Sequence, residues 1–309
     1  MRIVFFGTPK FAANILKVLS EANFDICGII SKPDRPVGRS QKMQPTPVKL
    51  VAQSLLPDVP FYQPEKVSQE AFAPTLHALN ADLFVVVAYG EILKQHVLDM
   101  PKKGCINVHA SLLPHYRGAA PIQRAVIAGE KESGVSIMHL VKEMDAGDII
   151  LKEALPIPID MTAGELEEGL CQLGAKLLTE ALRHIDNGTA QRTPQNHQEA
   201  TLAPKVSREE CQINWQQEAL TVHNLIRGVN PAPGAWCEVY VDGAKKQLKI
   251  HRTKALSGSI EEEVRDKGHW IIPCSSGSLE LLEVQLEGKK RMSGPELLRG
   301  VPQLNLGVS

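Results

Sequence analysis

Asn107 and His109 stand two residues apart in an apolar run, residues 105–109. If this run is a strand, their side chains point to the same face, because successive side chains of a strand alternate. An amide supplies an N–H donor without changing charge, and an imidazole can donate or exchange a proton. The spacing therefore predicts two polar groups able to do chemistry on one face of a sheet.

A carboxylate follows in the next part of the chain. Residues 135–140 predict another strand, which leads into a turn-rich loop that contains Asp145 and Asp148. An Asp beside a His can hold the ring in one tautomer and relay a proton. We therefore expect Asn107, His109 and Asp145 to form one site. Taken singly, each residue has a structural alternative: an Asn in a turn, a His in the core, and an Asp that caps a loop.

Further motifs surround these three residues along the chain. They are Phe6-Gly7-Thr8-Pro9, the basic run 32–39, the apolar run 85–90, Ser111-Leu112-Leu113-Pro114-His115-Tyr116-Arg117-Gly118, residues 118–124, Asp145-Ala146-Gly147-Asp148 and residues 226–235. Together they resemble the formyltransferases that use 10-formyltetrahydrofolate. Within that family the match is to the branch that formylates the free amino group of methionine on initiator tRNA. The resemblance runs from residue 1 to about residue 234.

The resemblance implies roles for the matching residues. Asn107 and His109 would stabilise negative charge on the formyl oxygen, and Asp145 would tune His109 and take the proton of the attacking amine. 10-Formyltetrahydrofolate would be the co-substrate, with no metal. The residues implied in binding it are Ser111, Leu112, Leu113, Pro114, Val87, Tyr89 and Gly90. Arg117 would either bind an anion or clamp its own loop.

Two basic segments are candidates for RNA binding. Residues 32–49 hold five basic residues against one acid, in a Pro- and Gly-rich stretch that predicts a long loop. Residues 245–254 hold five more without an acid. Residues 206–309 as a whole balance thirteen basic against thirteen acidic residues, so a merely solvated face is an equal alternative there. The predicted tRNA-binding residues are Arg39, Lys42, Lys245, Lys246 and Lys249.

The order of apolar and helical patterns predicts the architecture. Up to about residue 185, short strands alternate with helices, which is typical of an α/β, Rossmann-like domain with a mostly parallel sheet. After residue 206, short strands between turns predict a small C-terminal β-barrel of OB-like type. We therefore predict a catalytic domain at 1–187, a linker at 188–205 and a tRNA-binding barrel at 206–309.

The predicted elements can be given by residue number. The strands are 2–6, 25–30, 81–88, 105–109, 135–140, 149–154, 236–241, 247–251, 269–272 and 279–284; the helices are 10–22, 121–128, 218–228 and a long one that opens with the capping box Thr162-x-x-Glu165 and stops at Asn187-Gly188.

Composition limits the remaining classes of function. The net charge of −1 gives no overall attraction to nucleic acid, so RNA must be met by local patches. The longest apolar run, residues 83–89, is far shorter than the ~20 residues of a membrane span. Six scattered cysteines predict neither zinc nor disulfides, which favours a reducing cytoplasm, and we expect a monomer. The missing Gly-x-Gly-x-x-Gly argues against NAD.

Two alternatives remain open at this point. One is a related formyltransferase that acts on glycinamide ribonucleotide or an amino sugar, or a formyltetrahydrofolate hydrolase, although neither explains the long basic loop. The other is an RNA-binding protein without catalysis that retains the core.

Overall fold

A computed structural model describes residues 1–37, 41–266 and 268–306. The helices are α1 Lys10–Glu21, α2 Pro47–Leu55, α3 Ala73–Ala78, α4 Gln95–Leu98, α5 Pro121–Ile127, α6 Ala163–Asp186, α7 Ala219–Gly228 and α8 Gly294–Gly300. The strands are β1 Ile3–Gly7, β2 Ile26–Ile30, β3 Arg35–Val37, β4 Lys42–Gln44, β5 Phe61–Tyr62, β6 Leu83–Val87, β7 Cys105–His109, β8 Glu132–His139, β9 Ile149–Pro156, β10 Ala235–Val241, β11 Ala244–Leu256, β12 Val264–Arg265, β13 Trp270–Pro273, β14 Ser278–Leu286 and β15 Met292–Ser293.

The chain divides into two compact units, each made of three segments. The first unit comprises residues 1–118, 133–155 and 167–202, and the second comprises 119–132, 156–166 and 203–309. The predicted domains, by contrast, are continuous in sequence. Their limits, 1–187, 188–205 and 206–309, stay a prediction.

The first unit is built on a seven-stranded sheet in the order β5-β2-β1-β6-β7-β8-β9. Strands β5, β2, β1, β6 and β7 run parallel, and β8 is antiparallel to β7. Every residue of β1 and β6 is buried, as expected for central strands covered on both faces. The predicted Rossmann-like, mostly parallel sheet is confirmed. Because β6 and β7 are parallel neighbours, the loops that follow them leave the same edge of the sheet.

The predicted long loop over residues 32–49 is wrong, because the described part of this segment contains two short strands and the start of a helix. Strands β3 and β4 pair as an antiparallel hairpin inside it, with Pro36 opposite Met43. Helix α2 then begins at Pro47, and the side chain of Thr46 caps it by accepting the Lys49 N–H. Proline at the first helical position and threonine before it are helix-start signals that the basic charges obscured.

The second unit carries a six-stranded antiparallel sheet in the order β10-β11-β14-β13-β12, with β15 paired to β14. This sheet curls into a half-barrel, as the predicted C-terminal barrel requires. The core of this unit contains large apolar side chains that are fully buried, among them Trp270, Leu248 and Ile272. The pairing of β11 with β14 is interrupted by a bulge around Arg252.

Helix α6 begins with the predicted capping box. The Thr162 hydroxyl accepts the Glu165 N–H, and the Glu165 carboxylate accepts the Thr162 N–H. The helix ends at Asp186, one residue before the Asn-Gly pair that predicts its stop. Over the described ranges, every helix is too short or too polar to span a lipid bilayer.

Candidate active site

Strand β7 has the predicted bounds and carries the predicted pair. Asn107 and His109 are two residues apart on this strand, so their side chains leave the same face. His109 is buried, whereas Asn107 is half-buried. Among the described residues, the Asn107 amide makes no hydrogen bond, and its N–H groups are therefore available to a ligand.

The bonding of His109 fixes where its protons can be. Nε2 lies 3.0 Å from the backbone oxygen of Tyr116. A carbonyl oxygen only accepts, so Nε2 carries a proton. Nδ1 lies 3.7 Å from Oδ2 of Asp145, beyond hydrogen-bonding distance. A proton on Nδ1 would thus point towards the carboxylate without forming a hydrogen bond to it. Nδ1 could then donate a hydrogen bond to an oxygen atom of a bound ligand.

Asp145 reaches His109 from a loop that starts at the other end of β7. Because β8 is antiparallel, the residue after it, Leu140, bonds to Cys105 at the beginning of β7. The loop then folds back, and Asp145 takes a left-handed backbone conformation with φ of 51°. Its Oδ2 accepts the Gly118 N–H at 2.8 Å, so the carboxylate is held in place. Oδ1 makes no hydrogen bond with the residues described and is free to act as a base.

Gly147 permits the close packing of this loop. A Cβ at this position would lie 1.9 Å from the backbone oxygen of His139. No real side chain tolerates that distance, so only glycine fits between the loop and the end of β8.

Gln195 braces the same loop and was missed by the sequence analysis. It is 6% exposed, and its Nε2 donates to the backbone oxygens of Asp145 at 2.9 Å and Gly147 at 2.7 Å. Its Oε1 accepts from Arg117, with Nη2 at 2.6 Å and Nε at 3.2 Å. One buried amide therefore ties the Asp145 loop to the loop after β7.

Arg117 has the clamping role and not that of a free anion contact. Besides Gln195, its Nη2 contacts Nδ1 of His197 at 3.0 Å, and its backbone N–H donates to Thr201. The segment predicted as a linker thus packs against the loop after β7. Its polar, aperiodic sequence does not distinguish a segment that packs against a loop from one that only connects two domains.

The Ser111 to Pro114 turn is largely buried. The Ser111 hydroxyl donates to the His115 backbone oxygen at 2.6 Å, and the buried Ser136 hydroxyl donates to the Ser111 oxygen at 2.8 Å. Leu113 and Pro114 are buried, and Leu112 is half-buried. Leu113 packs with Met138 and Ile149, so its side chain belongs to the core and only its backbone can meet a ligand.

In the loop after β6, too, the side chains are mostly buried while part of the backbone is exposed. Val87 and Tyr89 are buried, and the Tyr89 ring packs edge-on against Phe6 with centroids 5.6 Å apart. The Tyr89 hydroxyl is buried and has no hydrogen-bond partner among the described residues, and burial raises its pKa. Gly90 is exposed with φ of 85° and open space where a Cβ would be, so the backbone here is accessible.

The predicted tRNA-binding residues differ in their surroundings. Arg39 lies outside the described residues. Lys42 is exposed on β4, whereas Lys246 and Lys249 are half-buried on β11. Lys245 pairs with Glu238 at 2.6 Å, which raises the pKa of Lys245, and Lys249 donates to the Pro233 oxygen at 3.3 Å. Within the described residues, no group of three His, Cys, Asp or Glu side chains is placed to hold a metal ion.

Comparison with known families divides the chain into two matched parts. A family model described as "Formyl transferase" matches residues 1–182. A second model, described as "Formyl transferase, C-terminal domain", matches residues 205–302.

Curated relatives match over nearly the full length. A methionyl-tRNA formyltransferase of Protochlamydia amoebophila is 53% identical over 312 residues, which cover 99% of this chain and 97% of that protein. A methionyl-tRNA formyltransferase of Macrococcus caseolyticus is 44% identical, with 99% of this chain and 98% of that protein covered.

Solved structures share the fold at low identity. An N-formyltransferase from Helicobacter canadensis, in complex with folinic acid and dTDP-3-aminofucose, aligns with a TM-score of 0.68 and 19% identity over 90% of this chain and 98% of that one. HypX from Aquifex aeolicus, in complex with tetrahydrofolic acid, aligns with a TM-score of 0.65 and 18% identity over 96% of this chain and 47% of that one.

Proposed function

The chain belongs to the formyl transferase family, among its methionyl-tRNA formyltransferases, and from this premise we propose how its residues carry the reaction. The enzyme transfers the formyl group of 10-formyltetrahydrofolate to the free amino group of methionyl initiator tRNA. The products are N-formylmethionyl-tRNA and tetrahydrofolate, for translation initiation. The observation that carries the residue assignment is the convergence of Asn107, His109 and Asp145 beside one strand end.

Asn107 and His109 stabilise the oxygen of the formyl group during attack. As the amine nitrogen bonds to the formyl carbon, the electron pair of the C=O bond moves onto the oxygen as negative charge. When the C=O bond forms again, the bond from N10 of the folate to that carbon breaks and N10 leaves with its electron pair. Fixed donors aimed at such an oxygen are commonly worth ~3–4 kcal/mol each. The unbonded amide of Asn107 and the uncommitted Nδ1 of His109 support this role.

Asp145 handles the proton that the amine must lose. Its Oδ2 is held by Gly118 while Oδ1 is unbonded within the described residues, which suits a general base. The proton passes from the amine to this carboxylate, directly or through water, and then to N10 of the leaving tetrahydrofolate. Gln195 positions the loop through backbone contacts.

Folate binding is assigned to the two loops at the sheet edge. We propose that Ser111, Leu112, Leu113 and Pro114, together with Val87, Tyr89 and Gly90, bind the reduced pterin. The exposed backbone at Gly90 and the half-buried Leu112 support contacts by backbone groups and one apolar side chain. The buried Val87, Tyr89 and Leu113 contribute through their backbones and by supporting the loops.

For tRNA we propose contacts from Arg39, Lys42, Lys245, Lys246 and Lys249. Lys42 is the best supported of those described, because it is exposed and carries no ion pair within the described chain. Lys245 shares its charge with Glu238, so its contribution is the smallest. We also propose that the chain consists of a catalytic domain at 1–187, a linker at 188–205 and a C-terminal domain at 206–309. We propose that it is a monomer and that it lies in the cytoplasm, a location that its six unpaired cysteines favour.

The direct test is formyl transfer from labelled 10-formyltetrahydrofolate to methionyl initiator tRNA. Methionyl elongator tRNA, glycinamide ribonucleotide and an amino sugar serve as parallel acceptors. We expect efficient transfer to the initiator tRNA alone. Preferred transfer to a small amine would move the enzyme to another formyltransferase class, and release of formate without transfer would make it a hydrolase.

A further inference from the structure

A cavity of about 180 Å³, lined by both apolar and charged side chains, lies within the second compact unit. It is bordered by helix α7, strands β11 and β14, and the segment 156–166. The ionisable residues that line it are Asp160, His223, Arg227, His251, Arg252 and Lys254. None of them has a role in the formyl transfer described above. The excess of basic side chains raises the question of what they bind.

Arg227 is the most informative of these residues. It is 3% exposed, and its donors bond to neutral groups: Nε to Oδ1 of Asn224 at 2.8 Å, and Nη1 to the Met161 oxygen at 3.0 Å. Nη2 makes no hydrogen bond, and no carboxylate lies within ion-pair distance, in the part of the chain that is described. Burial lowers the pKa of Arg227, and Asp160 opposes this effect. This buried guanidinium therefore has one unbonded nitrogen, Nη2, and no carboxylate at ion-pair distance within the described residues.

His251 supplies a second unsatisfied group on the cavity wall. The bulge in β11 falls at this residue, so that Ile250 and His251 are both buried although they are consecutive. Nε2 lies 3.3 Å from Oε1 of Gln285, but Nδ1 is buried without a partner in the described chain. Burial lowers the pKa of His251. A bound anion would let Nδ1 take up a proton and gain a partner.

Lys254 and Arg252 stand at the rim. Lys254 is exposed and forms no ion pair within the described residues, while Arg252 pairs with Glu165. Two carboxylates lie nearby: Glu280, opposite Lys254 on β14, binds His269, and the exposed Asp160 lies 3.4 Å from Nε2 of His223. Lys254 is thus an exposed cation without an ion pair in the described chain, and it is available to a ligand.

We propose that this cavity binds a phosphate group of the RNA substrate, with Nη2 of Arg227 as the buried donor and Lys254 at the rim. A charged guanidinium N–H donates a strong hydrogen bond to a phosphate oxygen, and a nearby ammonium adds a point charge. RNA is favoured as the source because the same strand, β11, carries the proposed tRNA-binding residues Lys245 and Lys249. The inference rests on the proposed function in taking tRNA as the acceptor.

The test compares Lys254→Met with the matched control Lys131→Met, an exposed lysine of the same unit that does not line the cavity. Steady-state formylation of methionyl initiator tRNA is measured from 50 to 200 mM KCl. Loss of one phosphate contact lowers the slope of log kcat/KM against log salt by about 1. We expect this change for Lys254→Met, with a KM for tRNA several-fold higher and kcat retained. Lys131→Met should match wild type.

A second arm separates RNA from free phosphate. Inorganic phosphate is titrated at constant ionic strength, and the Nε–H signal of Arg227 is followed by NMR, assigned through Arg227→Lys. We expect a saturable shift that weakens in Lys254→Met. A saturable shift with unchanged tRNA kinetics would assign the cavity to a free phosphate and overturn the RNA role.

The remaining outcomes are also decisive. No saturable shift, with unchanged tRNA kinetics, would remove the site altogether. If the wild-type enzyme formylates no tRNA, the proposed function itself is contradicted. A saturable shift of the Arg227 signal with phosphate would then show an anion site that has no role in RNA binding, and the inference would be overturned.

Discussion

The position of the Asp145 carboxylate governs the chemistry available at β7. One oxygen is fixed by the Gly118 N–H at 2.8 Å and the other is unbonded within the described residues, while His109 stands 3.7 Å away. A carboxylate held in this way can accept a proton without losing its orientation. An amide of the same shape can still accept the Gly118 N–H through its oxygen, but it cannot act as a base.

Asp145→Asn is therefore expected to leave folding intact and to lower kcat by about 10²–10⁴-fold, the range typical of general acid–base catalysis. Glu143→Gln, an exposed residue of the same loop, is the matched control and should keep the wild-type rate. Turnover and thermal unfolding are measured on both variants. A near wild-type kcat for Asp145→Asn would remove Asp145 from the proton transfer.

At the scale of elements, the loop that carries Asp145 depends on a brace from a distant segment. Gln195 donates to two of the loop's carbonyl oxygens and accepts from Arg117. Removing the amide leaves buried polar groups without partners, which costs about 1–3 kcal/mol for each group.

Gln195→Leu is expected to reduce stability and to increase amide hydrogen exchange in the loop 140–148. kcat should fall more than the KM for tRNA rises, because the loop positions Asp145 and does not bind RNA. Gln198→Leu, an exposed residue of the same segment, is the control. Unchanged exchange in the loop together with lost stability would mean that Gln195 supports the fold and not the catalytic loop.

The elements differ in how far the sequence predicted them. Strand β7 matches its predicted bounds because an apolar run ended by polar residues is a local signal. The capping box of α6 and the central strands are equally local. The brace at Gln195 was missed because its hydrogen bonds join residues 50 and 78 positions apart, which no local pattern reveals. The hairpin β3–β4 was missed because its strands have only three residues each, one of them a proline, and show no alternating pattern.

At the scale of the whole molecule, buried histidines make stability depend on pH. Burial lowers the pKa of His139, His223 and His251 in the folded chain. Unfolding restores a pKa near 6.5, so the unfolded chain binds more protons below that pH. The stability these residues contribute is therefore present above about pH 6.5 and is lost as pH falls below it. The exposed His269, whose pKa is raised by Glu280, acts weakly in the opposite sense.

We expect the melting temperature to fall between pH 7 and pH 5, and to fall less in His223→Gln. His77→Gln, an exposed residue, should follow the wild-type curve. Thermal unfolding at constant ionic strength measures all three. A melting temperature that stays constant from pH 7 to pH 5 in wild type would show that the buried rings do not control acid stability.

The most direct test of the account is the single-turnover rate of formyl transfer to methionyl initiator tRNA in His109→Gln. Glutamine keeps an N–H donor but cannot carry the charge or exchange the proton of an imidazole. We predict a rate at least ~10²-fold below wild type, with His115→Gln, an exposed residue of the following loop, unchanged. A His109→Gln rate within a few-fold of wild type would contradict the assignment of this strand end as the catalytic centre.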